Sequence, residues 1–72
     1  MQDDELLDEA ATCRFFGGTK PINPATLWRG VKKGRYSKPI RISDQAVRWR
    51  RSELQDDIDR MVAERDADEA AA

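Results

Sequence analysis

Asn23, Pro24 and Gly34 bracket a segment that has few ways to fold. An asparagine side chain accepts hydrogen bonds from first-turn amides, and proline at the first helical position gives up an N–H that would lack a helical partner. Glycine tolerates the left-handed conformation that ends a helix. The run between, Ala25-Thr26-Leu27-Trp28-Arg29-Gly30-Val31-Lys32-Lys33, is therefore predicted to be a short helix with punctuated ends. Leu27 and Val31, four apart, give it one narrow apolar face, leaving Thr26, Trp28, Arg29, Lys32 and Lys33 for the other sides. A helix that buries so little and displays so many donors is organised to meet a partner.

The flanking segments supply a frame. Asp8 is placed to cap a first helix running to Phe15, in which Leu7, Ala11 and Phe15 form the expected core stripe. Phe16-Gly17-Gly18 ends it, and Ile22, just before the next cap, can pack on Leu27 as a hydrophobic staple. Helix, glycine turn and capped helix read as a helix-turn-helix with a longer turn than the strict motif, the alternative being an ordinary helical hairpin. After Gly34 the period changes. Pro39 blocks a helix, and Ile40-Arg41-Ile42 and Val47-Arg48-Trp49-Arg50 alternate about the turn Ser43-Asp44-Gln45-Ala46. A two-stranded hairpin is expected, with Ile40, Ile42, Val47 and Trp49 on its inner face and Arg41, Arg48 and Arg50 outward. Such a hairpin is unstable alone, so it must lie on the helices as a wing. Ser52-Glu53-Leu54-Gln55 has the spacing of a capping box and opens a third helix. Leu54, Ile58, Met61, Val62 and Arg65 follow helical spacing there, with Asp56, Asp57, Asp59 and Glu64 opposite. The fold expected is mainly α: a winged helix-turn-helix of three helices plus a two-stranded β-hairpin wing. It spans residues 6–65, between a flexible acidic N-terminus at 1–5 and a flexible acidic tail at 66–72.

Charge is segregated along the chain. The net charge is -1 over 72 residues, yet residues 1–13 carry -5, residues 14–51 carry +10 and residues 52–72 carry -6. A basic block between acidic ends is the electrostatic footprint of a nucleic-acid face, the alternative being a solvated charged surface. We take the partner of the Asn23 to Gly34 helix to be the major groove of DNA. Enzyme chemistry is disfavoured: without histidine there is no His-dependent triad and no usual structural zinc site, and the carboxylates lie in runs at the two ends. Cys13, the single cysteine, reads as a small buried residue. No apolar run approaches the roughly 20 residues of a membrane span, so a cytoplasmic, bacterial, nucleoid-associated protein is expected, with a thin core.

Two runs carry a family resemblance. Phe15-Phe16-Gly17-Gly18 followed by Pro24-Ala25-Thr26-Leu27-Trp28-Arg29-Gly30-Val31-Lys32-Lys33-Gly34-Arg35-Tyr36-Ser37-Lys38-Pro39-Ile40 resembles the AlpA-like regulators and phage-type excisionases, which commonly carry a run such as ATLYRxIKxGRFPKPxKI. Arg48-Trp49-Arg50-Arg51-Ser52-Glu53-Leu54 resembles their RWRxSEL segment. The likeness covers roughly residues 6–65. Trp28 stands where tyrosine is usual and Ser37 where proline is frequent, and neither departure is expected to touch the fold.

The resemblance implies a winged helix-turn-helix related to the MerR DNA-binding domain. Such proteins bind repeated sites near the attachment site of a prophage or integrative element. There they act as recombination directionality factors that bias an integrase toward excision, or regulate transcription of integrase genes. Position by position, Asn23, Thr26 and Arg29 would contact bases, and Lys20, Trp28, Lys33, Arg35 and Lys38 the DNA backbone. Arg41, Arg48 and Arg50 would contact it from the wing. Trp28 reads equally as a core aromatic, and Trp49 as core. The partners expected are double-stranded DNA as direct repeats, a tyrosine recombinase, and further copies joined head to tail through basic and acidic faces. No cofactor, metal, small-molecule ligand or membrane is expected. A reading of another class is a protein-binding adaptor acting through the acidic third helix.

Overall fold

Asp8 opens the first helix as its position demands. Its backbone is extended and Oδ1 accepts from the Ala11 amide at 2.8 Å, starting α1 (Glu9–Gly17). The structure, a computed structural model, describes residues 4–71. The turn after α1 is tied back where the Ile22 amide donates to the Cys13 carbonyl at 3.2 Å. α2 (Pro24–Lys32) follows, with the Asn23 side chain accepting from the Ala25 amide at 2.8 Å and Pro24 in the first position. Gly34, at φ 80°, turns the chain out of the helix. Leu27 is fully buried and Val31 nearly so, which confirms the narrow apolar face.

β2 (Ile40–Ser43) and β3 (Ala46–Arg50) form the expected antiparallel hairpin, but a third strand joins it. β1 (Leu6–Leu7) pairs antiparallel with the other edge of β3, giving the order β1-β3-β2. Two residues are too few for a period to be read, so only the pairing defines this strand. The register sets Leu7 opposite Trp49 and Arg41 opposite Val47, and Leu6 opposite Arg50 and Ile40 opposite Arg48. Opposed residues share a face. Ile40 therefore lies with Arg48 and Arg50, and Arg41 with Val47 and Trp49, against the expected alternation. The pairing is irregular between Arg41 and Ser43, so a strict period of two cannot be carried through the strand. Ile40 and Ile42 are accordingly exposed, at 41% and 50%, and the inner face of the hairpin reduces to Trp49 and Val47.

α3 (Arg51–Ala71) starts directly after β3 and is not capped by its own serine. Asp4 caps it instead. Its Oδ1 accepts from the Ser52 amide at 2.9 Å, and Oδ2 accepts from the Ser52 hydroxyl at 2.6 Å and from Arg50 Nε at 2.8 Å. Gln55 turns away from the helix start and donates to Asp59. The Arg51 amide donates to the Glu5 carbonyl at 2.9 Å, so residues 4 and 5, read as part of a flexible end, are bonded into the fold. Residues 1–3 of that stretch lie outside the described residues. The helix also continues to Ala71 through the stretch read as a tail.

The core gathers Trp49, Leu27, Leu54, Cys13, Val31 and Leu7, with Ala11, Phe15, Phe16, Ile22, Tyr36 and Val47 packed around them. α1 buries Thr12 and Cys13 rather than the Leu7, Ala11, Phe15 stripe, of which only Leu7 is buried. The Asp8 cap puts Leu7 outside the helix and in β1, so a spacing counted from Leu7 does not continue onto α1. On α3, Leu54 is buried and Ile58 and Met61 are half-buried, while Val62 through Glu69 are all exposed. Asp57, expected on the acidic outer side, is buried. The result is a mainly helical domain of three helices and a small antiparallel sheet with a projecting hairpin, an arrangement compatible with a winged helix. No helix among the described residues is long and apolar enough to cross a membrane.

Candidate functional site

With Leu27 and Val31 inward and about 100° of turn per residue, Arg29 is directed about 180° from the core side of α2. Lys32 and Lys33 extend the exposed arc, and Thr26 lies half-buried at its edge. The Arg29 guanidinium folds along the helix and donates from Nη2 to Thr26 Oγ1 at 3.2 Å. Beside it lies an open groove of about 290 Å³, lined by Thr26, Arg29, Gly30, Lys33, Arg35 and Tyr36.

The far wall of the groove is the loop after α2, and its position is set by packing. Tyr36 lies with its ring against Gly30, where a Cβ would come within 2.3 Å of a ring carbon, and it stacks on Phe16 at 4.3 Å. Glycine is required there for close approach. The Gly30 carbonyl accepts from the amides of both Arg35 and Tyr36, at 2.8 and 3.2 Å. From behind, Asp57 accepts from the Ser37 amide at 2.8 Å and its hydroxyl at 3.1 Å, and the Trp49 indole donates to the Ser37 carbonyl at 2.9 Å. Arg60 donates to the Arg35 carbonyl and stands 3.8 Å from Asp57. The departure at Ser37 thus does reach the fold, because proline has no N–H to give Asp57.

The expected contact residues divide into groups. Thr26, Arg29, Lys33 and Arg35 come together at the groove. Lys20, Lys38 and Arg41 are exposed, and none of them, nor Arg29, Lys33 or Arg35, makes a salt bridge among the described residues. Asn23 is exposed with its side-chain oxygen engaged as the cap. Trp28 is packed at the edge of the core and partly open to solvent. It is 38% exposed, its ring lies 5.4 Å from that of buried Trp49, and its indole N–H donates to Glu9 at 2.7 Å. The wing cations are not gathered on one face of the sheet. Arg48 donates to the Val47 carbonyl at 2.8 Å and borders a cleft shared with Asp8 and Glu9, and Arg50 is paired with Asp4. Arg50 is thus turned to an acid of the N-terminal segment, Arg48 only shares a cleft with two of them, and Arg41 lies on the other face of the sheet.

Sequence reasoning passed over Gly30, Tyr36, Ser37, Asp57 and Arg60, which shape or hold the groove. The one signal available was the aspartate within the apolar spacing of α3, three residues after Leu54. No group of side chains arranged to hold a metal ion occurs among the described residues. Burial, with the Glu9 charge adding to it, pushes the Cys13 thiol up, which disfavours the reactive thiolate. What fold and groove define together is a small helical domain presenting a cationic helix face. No protein-family model, curated protein or solved structure matches the chain.

Proposed function

We propose that the protein binds double-stranded DNA through the exposed arc of α2, as a small excisionase of the AlpA-like type. In this reading it occupies repeated sites near the attachment site of a prophage or integrative element in the bacterial cytoplasm and promotes excision by the integrase. The observation that carries the proposal is the pairing of charge. Arg29, Lys33 and Arg35 meet at one groove without a salt-bridge partner among the described residues, while Asp4, Glu5, Asp57 and Asp66 are matched to Arg50, Arg51, Arg60 and Arg65. Cations left unmatched beside a helix of exposed donors suit a polyanion. The two runs that resemble excisionases, one ending at Ile40 and one at Leu54, support the choice of class. Regulation of integrase-gene transcription uses the same DNA-binding surface and is the alternative output.

The test is a gel-shift series in rising salt on duplexes from an attachment-site region, followed by an excision assay with the integrase. Affinity should fall with a log–log slope of about -0.9 for each phosphate neutralised, and a salt-independent affinity would overturn the reading. Duplexes with one, two and three repeats test head-to-tail loading, which requires cooperative binding. The exposed acids Glu64, Asp66, Asp68 and Glu69 on the outer half of α3 favour, as a second reading, an adaptor role toward a partner protein. Deleting that half would then abolish excision while sparing DNA affinity.

A further inference from the structure

Three cationic side chains, two hydroxyl-bearing residues and the bare backbone of a glycine border one groove between α2 and the loop that follows it. Arg29 and Lys33 are one helical turn apart, so their Cβ atoms are about 5–6 Å from each other, and Arg35 joins them from the loop. No carboxylate is among the lining residues. Like charges gathered in this way repel, and the repulsion must be opposed by other contacts. Here the opposing contacts come partly from the groove's own lining and partly from behind it. Thr26 holds Arg29, the Gly30 carbonyl takes the Arg35 and Tyr36 amides, Arg60 holds the Arg35 carbonyl, and Asp57 holds Ser37. An open cationic recess whose backbone is held in this way has room for a tetrahedral oxyanion and presents its donors to one side.

We infer that this groove seats a single phosphodiester of duplex DNA, with Arg29, Lys33 and Arg35 converging on its two unesterified oxygens and the Thr26 hydroxyl beside them. The inference rests on the DNA-binding reading and alters one part of it: Arg29 serves the backbone and reads no base. Its apical position on α2 would suit a base edge, but the guanidinium is folded back onto Thr26 and into the groove. Base discrimination then falls to the remainder of the exposed arc.

The experiment is the salt dependence of fluorescence-anisotropy titrations with a random-sequence duplex, using the full chain, R29Q, K33Q, R35Q and the triple variant. If the three cations share one phosphate, the triple variant loses about 0.9 of log–log slope and the single losses are not additive. A loss of about 2.7 would mean three separate phosphates and would overturn the seat while leaving DNA binding in place. So would an R29Q loss confined to a site selected from a random pool and absent on random duplex. A second measurement follows backbone amide resonances of the full chain as inorganic phosphate is added. Saturable shifts centred on Thr26, Lys33, Arg35 and Tyr36, absent in the triple variant, are expected. Phosphate binding without any duplex binding would overturn the DNA source and leave a seat for free phosphate. Duplex binding without phosphate shifts and with an unchanged slope in the triple variant would remove the seat alone.

Discussion

Replacing Gly30 with alanine sets two effects of opposite sign against each other. Helix propensity favours alanine over glycine by about 1 kcal/mol in a helix interior. Packing opposes it, because the added Cβ would lie 2.3 and 2.4 Å from two ring carbons of Tyr36 and 3.2 Å from a third. Carbon atoms in contact prefer separations of roughly 3.5–4.0 Å, so the ring must retreat by more than about 1 Å. Its backbone cannot follow easily, since the Tyr36 amide is bonded to the Gly30 carbonyl and the next residue is held by Asp57. The ring must instead rotate off Phe16, giving up a stack worth about 0.5–1.5 kcal/mol. Overpacking of this kind costs about 1–3 kcal/mol in addition. Packing wins, and the net expectation is a destabilisation of about 0.5–3.5 kcal/mol, which at about 4–8 °C per kcal/mol for a domain of this size lowers Tm by at least a few degrees. Thermal and urea melts followed by circular dichroism measure it. In a Tyr36→Ala background the clash is gone and only the propensity remains, so Gly30→Ala should there stabilise by about 1 kcal/mol. A stabilising effect in the wild-type chain would refute the reasoning and remove the wall that Tyr36 gives the groove.

Asp57→Ala leaves the part-buried Ser37 amide without its acceptor and should cost about 1–3 kcal/mol in a urea melt, and a change below about 0.5 kcal/mol would mean that water replaces the carboxylate. At Asp4, bonds from the Ser52 hydroxyl and amide, with Arg50 behind them, lower the carboxyl from 3.8 to about 2. A carboxyl lowered on folding stabilises the protein fully above its ordinary pKa, and the contribution drains away as pH falls from about 4 to about 2. Asp4→Asn should therefore be less stable near neutrality and show a flatter acid limb, and parallel pH profiles would contradict the capping assignment. Trp28→Phe should keep the ring over Trp49 and lose the bond to Glu9, lowering stability by about 1 kcal/mol. Its affinity for random duplex should not change, because the indole N–H is already given to Glu9, and a clear loss of affinity would restore a backbone contact at Trp28.

What could be read from the residues in order was whatever acts within a turn or two of chain. Asp8 and Asn23 bond to amides three and two positions on, Gly34 adopts its own positive φ, and Leu27 and Val31 sit one turn apart. Those interactions need no knowledge of the rest of the molecule, so both helix starts, the exposed face of α2 and the existence of the hairpin were legible. So was the segregation of charge into a basic block between acidic ends. The cap of α3 was not, because its acceptor is Asp4, 48 positions before Ser52, and the local serine only imitated a capping box. Nor were the faces of Ile40 and Ile42, which depend on an irregular pairing with a partner strand, or the burial of Asp57, which depends on Ser37 arriving beside it. Composition set how many cations the chain carries. Which of them remain unmatched was decided by folding, because a charge is neutralised by whatever lies within a few ångströms of it and not by its neighbours in sequence. Arg50 found Asp4, whereas Arg29, Lys33 and Arg35 border one groove with no carboxylate among its lining residues.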